Sequence, residues 1–230
     1  MGMSAIKDAI YIPPLHLGTD DEVRRLAVLR GLSSEGIKIA QDRGLLRFGK
    51  HFGQDAWFVL DGTFKNIQAR RMDGEPWSEG CKALSLKNSQ GNWPIGLYES
   101  LEYPNIAIVE GGPDLIAAHH LLWAEECENR WGVIAMLGAS ASFPTEAAKI
   151  LKGKKLKIYY HYDKNAQGAL GAYRWHHQLG LEQPSKHFCC CGPVQLQGGG
   201  IGKDLNDQAH ISGDEFEELR AENKHYIFNI

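Results

Sequence analysis

Acidic residues that follow apolar runs are the feature of this 230-residue chain that points most directly to chemistry. In the stretch "NIAIVEGGPD", Glu110 ends an apolar run and Asp114 follows a Gly-Gly-Pro elbow. In "YYHYDKNAQG", Asp163 and Asn165 follow a second apolar run. The glycine-rich loop that ends in "GKDLNDQ" carries Lys203, Asp204 and Asp207. Three remote segments therefore carry oxygen-bearing side chains.

The three acidic segments would repel one another if they met, because clustered carboxylates raise each other's pKa unless a cation neutralises them. Oxygen ligands suit Mg²⁺ or Mn²⁺, which commonly bridge to substrate phosphates. The pattern therefore predicts a divalent-metal site with the ligands Glu110, Asp114, Asp163, Asn165, Asp204 and Asp207. Each residue taken alone also has a structural interpretation, because acids favour helix amino termini and Asp and Asn favour turns.

Apolar strands alternate with helical segments from residue 105 onwards. The predicted strands are 105–110, 132–137, 156–163 and 186–192, and the predicted helices are 113–128, 143–153 and 166–180. This alternation is typical of an α/β fold, with a parallel sheet covered by helices on both faces. Because ligands bind such sheets at the carboxyl ends of the strands, the acids should gather at one edge.

The first 104 residues have a different pattern, which predicts a small α+β subdomain. Two short helices are expected within 20–48, followed by strands over 55–61, 63–73 and 81–87. The expected helix boundaries are Asp20 or Asp21 near the first N-cap, Ser33 or Ser34 at the second, and Gly44 at its end. A DNA-reading helix-turn-helix over 20–50 is an alternative, although its apolar residues fit core faces better. The chain therefore divides into 1–104 and 105–230.

Composition limits the class of protein and its partners. The chain is 43% hydrophobic and 23% charged, as ordinary globular proteins are. No apolar run approaches the roughly 18 residues of a membrane helix, and no secretory signal is visible, so no membrane partner is expected.

Three of the five cysteines are consecutive, which disfavours a zinc site and favours free thiols in a reducing, cytoplasmic location. With a net charge of −3, nucleic-acid binding would depend on a local basic patch or on helper proteins.

The three acidic segments together resemble the signature of the TOPRIM domain, shared by bacterial-type primases, topoisomerases and several nucleases. "VEGGPD" resembles its glutamate motif, with Glu110 and Asp114 in place, and "YDKNAQG" resembles its DxD motif as Asp163-Lys164-Asn165. "GKDLNDQ" resembles the KDxND loop of primases and primase-helicases of phages and plasmids. The resemblance covers roughly residues 103–212 and implies a TOPRIM-like domain.

The first hundred residues are similar to the basic subdomain that precedes TOPRIM in primase-like proteins, where it helps to hold template and nucleotide. This similarity implies nucleic-acid or nucleotide binding by Arg70, Arg71 and Lys82, with Arg47, Lys65 and Lys87 as further candidates. The expected partners are single-stranded DNA, nucleoside triphosphates and a replicative helicase.

The resemblance as a whole implies a DNA primase-like nucleotidyltransferase that uses Mg²⁺ or Mn²⁺ for phosphoryl transfer. The implied catalytic residues are Glu110 as general base, Asp163 as metal ligand and Lys203 beside the triphosphate.

Departures from the TOPRIM pattern keep two other functions open. Asn165 replaces the second acid of DxD, which weakens a two-metal site unless Asp204 or Asp207 compensates. A TOPRIM nuclease would use the same metal ions to activate water, and a non-catalytic nucleic-acid adaptor would keep the sheet without the chemistry. The basic strands favour the polymerase, whereas Asn165 and the acidic net charge favour the adaptor. Surface or core positions, rather than metal ligation, are expected for His119, His120, His161, His176 and His177.

Overall fold

The computed structural model describes residues 10–195, 200–209 and 227–228. Its amino-terminal part contains strand β1 (Leu15–His16), helices α1 (Asp20–Arg30) and α2 (Ser34–Asp42), and strands β2 (Leu46–His51), β3 (Gln54–Val59), β4 (Gln68–Arg71) and β5 (Leu84–Ser85). The five strands form one antiparallel sheet in chain order. This part therefore has the α+β character that its sequence predicts.

The second part of the chain forms a parallel sheet. Its elements are β6 (Asn105–Val109), α3 (Gly112–Ala124), β7 (Trp131–Ala135), α4 (Thr145–Ile150), β8 (Lys155–Tyr160), α5 (Gln167–Gln178), β9 (Phe188–Cys190), β10 (Val194–Gln195), β11 (Ile201–Gly202) and α6 (Leu205–Gln208). Four strands lie in the order β7-β6-β8-β9, all parallel, and β10 pairs with β11 in a separate antiparallel ribbon. The predicted fold class is confirmed.

Helix ends in the amino-terminal part follow local capping rules. Thr19 caps α1 by forming a capping box with Glu22, and Asp20 and Asp21 follow in the first turn, near the N-cap as predicted. Ser33 caps α2, as predicted, because its hydroxyl accepts a hydrogen bond from the backbone N–H of Gly36.

The strands of the amino-terminal part differ from the predicted ones in number and length. The helix α2 ends at Asp42, before Gly44 takes a φ of 80°, and β2 then begins at a position where no strand was expected. The alternating burial of β2 is that of a strand with one face on the core. The predicted strand over 63–73 is confined to β4, and Phe64 has a φ of 52°, which lies outside the extended range of a strand. The predicted strand over 81–87 is confined to β5.

The observed ends of the helix α3 and the strand β8 in the second part differ from the predicted ends by a few residues. The helix α3 ends at Ala124, short of the predicted 128, because Glu126 takes a φ of 53°. The strand β8 ends at Tyr160, so Asp163 lies in the loop after the strand and not at its end. All five cysteines are free, and Cys189 and Cys190 lie in β9 as expected.

The parallel sheet separates two hydrophobic clusters. Alternate residues of β6 point to opposite sides: Ala107 packs towards α3, and Ile108 packs towards α4 and α5. The first cluster also contains residues of α1, α2 and β2, so the two parts of the chain share a core. Gly36 of α2 lies so close to His120 of α3 that a Cβ atom there would be 2.3 Å from the His120 Cα. The division into 1–104 and 105–230 stays a prediction.

Two residues near the carboxyl terminus are anchored against the first cluster. The backbone N–H groups of Ile227 and Phe228 donate to the two carboxylate oxygens of Glu125, at 2.8 and 2.9 Å. Phe228 is 1% exposed, and its ring contacts Tyr159 and Trp131. The buried charge of Glu125 is thus satisfied by backbone donors.

Within residues 10–195, 200–209 and 227–228, no helix combines the length and the apolar character needed to cross a membrane.

Candidate metal centre

The elbow after β6 brings two carboxylates to the carboxyl edge of the parallel sheet. Glu110 directly follows the strand, and Gly111 is the extended N-cap of α3. A Cβ on Gly112 would lie 3.2 Å from Val59 of β3, so this glycine lets α3 begin tightly against the antiparallel sheet. Asp114 in the first turn of α3 is consequently buried, with 3% exposure.

His161 approaches the same carboxylates from the end of β8. Tyr159 packs towards α3 and Tyr160 towards α5, so the alternation along the chain directs His161 to the α3 side. Its Nε2 atom lies 2.9 Å from Oδ2 of Asp114, and its Nδ1 atom lies 3.4 Å from Oε1 of Glu110. The imidazole therefore lies between two acids.

Asp204 reaches this edge as the N-cap of the short helix α6. Its Oδ1 atom accepts a hydrogen bond of 2.8 Å from the backbone N–H of Asp207. The next backbone N–H, that of Leu205, donates to Oδ1 of Asp114 at 3.2 Å. Asp114 thus fixes both α6 and His161 relative to α3.

Glu110, Asp114, His161 and Asp204 are called the acidic cluster below. One ligand atom from each of Asp114, His161 and Asp204 lies within 4.8 Å of the other two, a spacing that permits a shared cation. Glu110 joins the group through His161. Of the six ligands that the sequence predicts at one edge, the structure brings together Glu110, Asp114 and Asp204.

The electrostatics of the acidic cluster reflect burial and mutual repulsion. Burial is the largest cause of the raised pKa values of Glu110 and Asp204, and the charge of Asp114 raises both further. Burial alone would lower the pKa of His161, but its hydrogen bond to Asp114 and the charges of Asp114, Glu110 and Asp204 raise it to about 9. The protonated imidazole supplies part of the positive charge that the acids require.

The donor set of the acidic cluster fits a divalent cation. The Oε2 atom of Glu110 is buried and has no hydrogen-bond partner among the described residues. A buried carboxylate oxygen without a donor costs free energy, which a bound cation would recover. Carboxylate oxygens with one imidazole nitrogen are ordinary ligands of divalent metal ions.

Two arginines of the amino-terminal part interact electrostatically with the acidic cluster. Arg30, at the end of α1, donates from Nε to Oδ1 of Asn206 at 2.9 Å, and the Asn206 amide donates back to the Arg30 carbonyl. Burial lowers the pKa values of Arg30 and Arg70, while the negative charges of Asp114 and Asp204 oppose that shift in both. Both guanidinium groups are therefore within electrostatic reach of the carboxylates.

A small cavity of about 90 Å³ lies beside Arg30 and Arg70. It is lined by Leu29, Arg30, Trp57, Arg70, Arg71, Gly74, Glu75 and Lys82. The Nε atom of Arg70 is buried and has no hydrogen-bond partner within the described chain, whereas Arg71 binds Asp73 and the Pro76 carbonyl. Arg70 is thus better prepared than Arg71 to bind an anion.

Several other sequence-predicted residues have structural contacts. Both carboxylate oxygens of Asp163 accept hydrogen bonds from the first turn of α5, from Gln167 and Gly168 at 2.8 and 2.9 Å. Asn165 is exposed in the turn before this helix. The exposed Lys203 donates its backbone N–H to Asp207.

The additional basic candidates lie on other contacts or on the surface. Arg47 donates to the carbonyls of Gln41 and Leu46. Lys65 lies 3.3 Å from the centre of the Trp93 ring, and Lys87 is exposed.

The sequence did not predict the positions of His161 and Arg30 at this site. His161 was expected at the surface or in the core, and it instead lies between Glu110 and Asp114. The only signal in the sequence was that His161 lies two residues after Tyr159, so both side chains point to the same side of the sheet. This signal is useful only once the side that α3 covers is known. Arg30 meets Asn206 across a sequence separation of 176 residues, which no local pattern reveals.

No known protein-family profile matches the chain, and no curated protein matches it. Among solved structures, the primase fragment of the bacteriophage T7 primase-helicase protein is similar, with a TM-score of 0.54 and 17% sequence identity over 94% of this chain and 82% of that chain. A chain in a structure of bacteriophage T7 lagging-strand DNA polymerase interacting with primase domains has a TM-score of 0.46 and 14% identity, over 84% of this chain and 87% of that chain. The first similarity shows that this chain shares its fold with a bacteriophage primase fragment.

Proposed function

We propose that this protein is a primase-like nucleotidyltransferase that copies a DNA template by divalent-metal phosphoryl transfer. The observation that carries the proposal is the gathering of the acidic cluster at one edge of the parallel sheet, within electrostatic reach of Arg30 and Arg70. Carboxylates that hold a cation and arginines that bind phosphate are the two needs of phosphoryl transfer. The shared fold and the TOPRIM-like motifs support the same function.

The acidic cluster would hold Mg²⁺ or Mn²⁺ through Glu110, Asp114, His161 and Asp204. The bound ion would neutralise charge on the transferred phosphoryl group and lower the pKa of the attacking hydroxyl. Asp163, Asn165 and Asp207, also predicted as ligands, remain candidates for a second ion or for contact with substrate.

The protein's own groups would position the substrates. Glu110 is also the proposed general base for a 3′-hydroxyl. Arg70 and Lys82, which line the cavity, would bind the triphosphate or the template backbone. Lys203, exposed beside Asp204, would contact the same phosphates. Single-stranded DNA, nucleoside triphosphates and a replicative helicase are the proposed partners.

A non-catalytic nucleic-acid adaptor is the second candidate. Both ring nitrogens of His161 already face carboxylates, so a protonated imidazole satisfies part of the charge that a metal would otherwise satisfy. An adaptor would keep the fold and the arginines while the imidazolium replaced the ion. A nuclease would share the metal and the acids and would differ in using water as the nucleophile.

Incubation with single-stranded DNA and labelled nucleoside triphosphates, with Mg²⁺ or Mn²⁺ present, tests the proposal. We expect oligonucleotide synthesis that Glu110→Gln abolishes and that the matched exposed variant Glu126→Gln retains. Shortening of a labelled DNA strand without nucleotides, with the same Glu110 dependence, would instead establish a nuclease. DNA binding without turnover or metal binding would establish the adaptor.

A further inference from the structure

The backbone of His161 packs closely against helix α5. A Cβ on Gly168 would lie 2.5 Å from the His161 carbonyl oxygen, so α5 packs directly against the His161 backbone. The Asp163 carboxylate fixes the start of the same helix by accepting two of its N–H groups. These contacts position the loop that carries His161, so its imidazole lies against Asp114 and Glu110. A side chain positioned in this way needs little reorganisation to bind an ion.

The imidazole changes the chemical character of the donor set. Mg²⁺ prefers an octahedral shell made entirely of oxygen and retains several waters. Imidazole nitrogen suits first-row transition metal ions, whose affinities for mixed nitrogen and oxygen sites exceed that of Mg²⁺. In the three-residue group of Asp114, His161 and Asp204, one donor in three is a nitrogen.

We propose that His161 is a metal ligand that makes this centre selective for a first-row transition metal ion, such as Mn²⁺ or Co²⁺, over Mg²⁺. The inference rests on the metal centre of the proposed function and adds the class of ion that the centre takes. The geometry that carries it is the approach of both ring nitrogens to cluster carboxylates, next to the buried Oε2 atom of Glu110 that has no donor within the described chain. An ion seated there would displace one imidazole proton to solvent and replace the imidazole–carboxylate contacts with coordinate bonds.

Electron spin-echo spectroscopy of the Mn²⁺-loaded full chain reads the ligand directly, independently of turnover. We expect ¹⁴N coupling from an imidazole in the wild-type chain and its loss in His161→Asp. The exposed histidine variant His177→Asp serves as the matched control and should keep the coupling. Absence of ¹⁴N coupling in the wild-type chain, where Mn²⁺ is bound, would overturn the proposal without any reference to a variant.

Titration calorimetry at pH 8 gives the second measurement. The wild-type chain should bind Mn²⁺ at least about ten-fold more tightly than Mg²⁺, and His161→Asp should narrow that ratio by strengthening Mg²⁺ binding. An unchanged ratio in a folded His161→Asp chain would overturn the selectivity. If this variant does not fold, His161→Asn, which keeps the size more closely, takes its place. A chain that binds Mn²⁺ through nitrogen yet synthesises nothing would refute the proposed function and leave this inference intact.

Discussion

The Nε2 atom of His161 lies 2.9 Å from the Oδ2 atom of Asp114 and joins the end of β8 to the first turn of α3 across 47 residues. The other oxygen of Asp114 accepts the backbone N–H of Leu205, which is 91 residues away. One buried carboxylate thus connects three segments of the chain. Because a buried charge without partners is costly, these contacts fix the acidic cluster as a unit.

The two neighbouring arginines of β4 should differ in nucleotide binding. Arg70 has a buried Nε atom without a partner in the described chain and lies within electrostatic reach of Asp114 and Asp204, whereas Arg71 is bound to Asp73. A charge-assisted hydrogen bond contributes about 1.5–3 kcal/mol, so Arg70→Gln should weaken the Kd for a nucleoside triphosphate about ten-fold or more. Arg71→Gln should change it by less than about three-fold.

Calorimetric titration with a nucleoside triphosphate measures both variants, and circular dichroism shows whether each remains folded. An equal loss of affinity in the two variants would refute the distinction between the arginines.

The buried His119 should make the fold sensitive to acid. Burial is the largest cause that lowers its pKa to about 3, and the nearby positive charge of Arg43 lowers it further. Its Nδ1 atom pairs with the Leu115 carbonyl, and Nε2 has no partner in the described part of the chain. Between about pH 6.5 and pH 3 the unfolded chain binds the proton that the folded chain excludes, so stability falls as the pH falls through this range.

Urea unfolding at pH 7 and pH 4.5 checks the contribution of His119. The wild-type chain should lose on the order of 2–3 kcal/mol more over this interval than His119→Gln, which cannot protonate there. The exposed variant His177→Gln is the control and should follow the wild-type pH dependence. Parallel pH profiles for wild type and His119→Gln would show that the buried imidazole does not control acid stability.

The close packing of α2 on α3 should not tolerate a methyl group at Gly36. Alanine normally stabilises a helix by up to about 1 kcal/mol relative to glycine. Here its Cβ would lie 2.3 Å from the backbone of His120, which cannot move as a flexible side chain can. Overpacking of this kind costs about 1–3 kcal/mol, so we expect Gly36→Ala to lower the free energy of unfolding.

The matched control is Gly91→Ala, since a Cβ at that position meets no heavy atom within 4 Å. Its free energy of unfolding, measured in urea, should remain within about 0.5 kcal/mol of wild type. A gain in stability for Gly36→Ala would mean that α2 and α3 separate without cost.

The sequence alone determined the layered architecture of the second part. The alternation of apolar strands with helices from residue 105 predicts a parallel sheet, and the structure confirms it. Glu110 directly after an apolar run, Asp114 after the following elbow and Asp204 in the glycine-rich loop indicated that acids would collect at one edge. Period and order carry this information because the chain can bury such strands in few ways.

The tertiary structure alone decided which side chains complete the cluster. The sequence predicted Asp163 as the acid that follows the third strand. In the structure its carboxylate oxygens cap α5, and His161 lies between the carboxylates of Glu110 and Asp114. Likewise β2 was missed, and Arg30 gained a partner only through the packing of α1 near α6. Local periodicity fixes the face on which a side chain lies, but distances between remote segments depend on how tightly the elements pack, and that packing requires the whole fold.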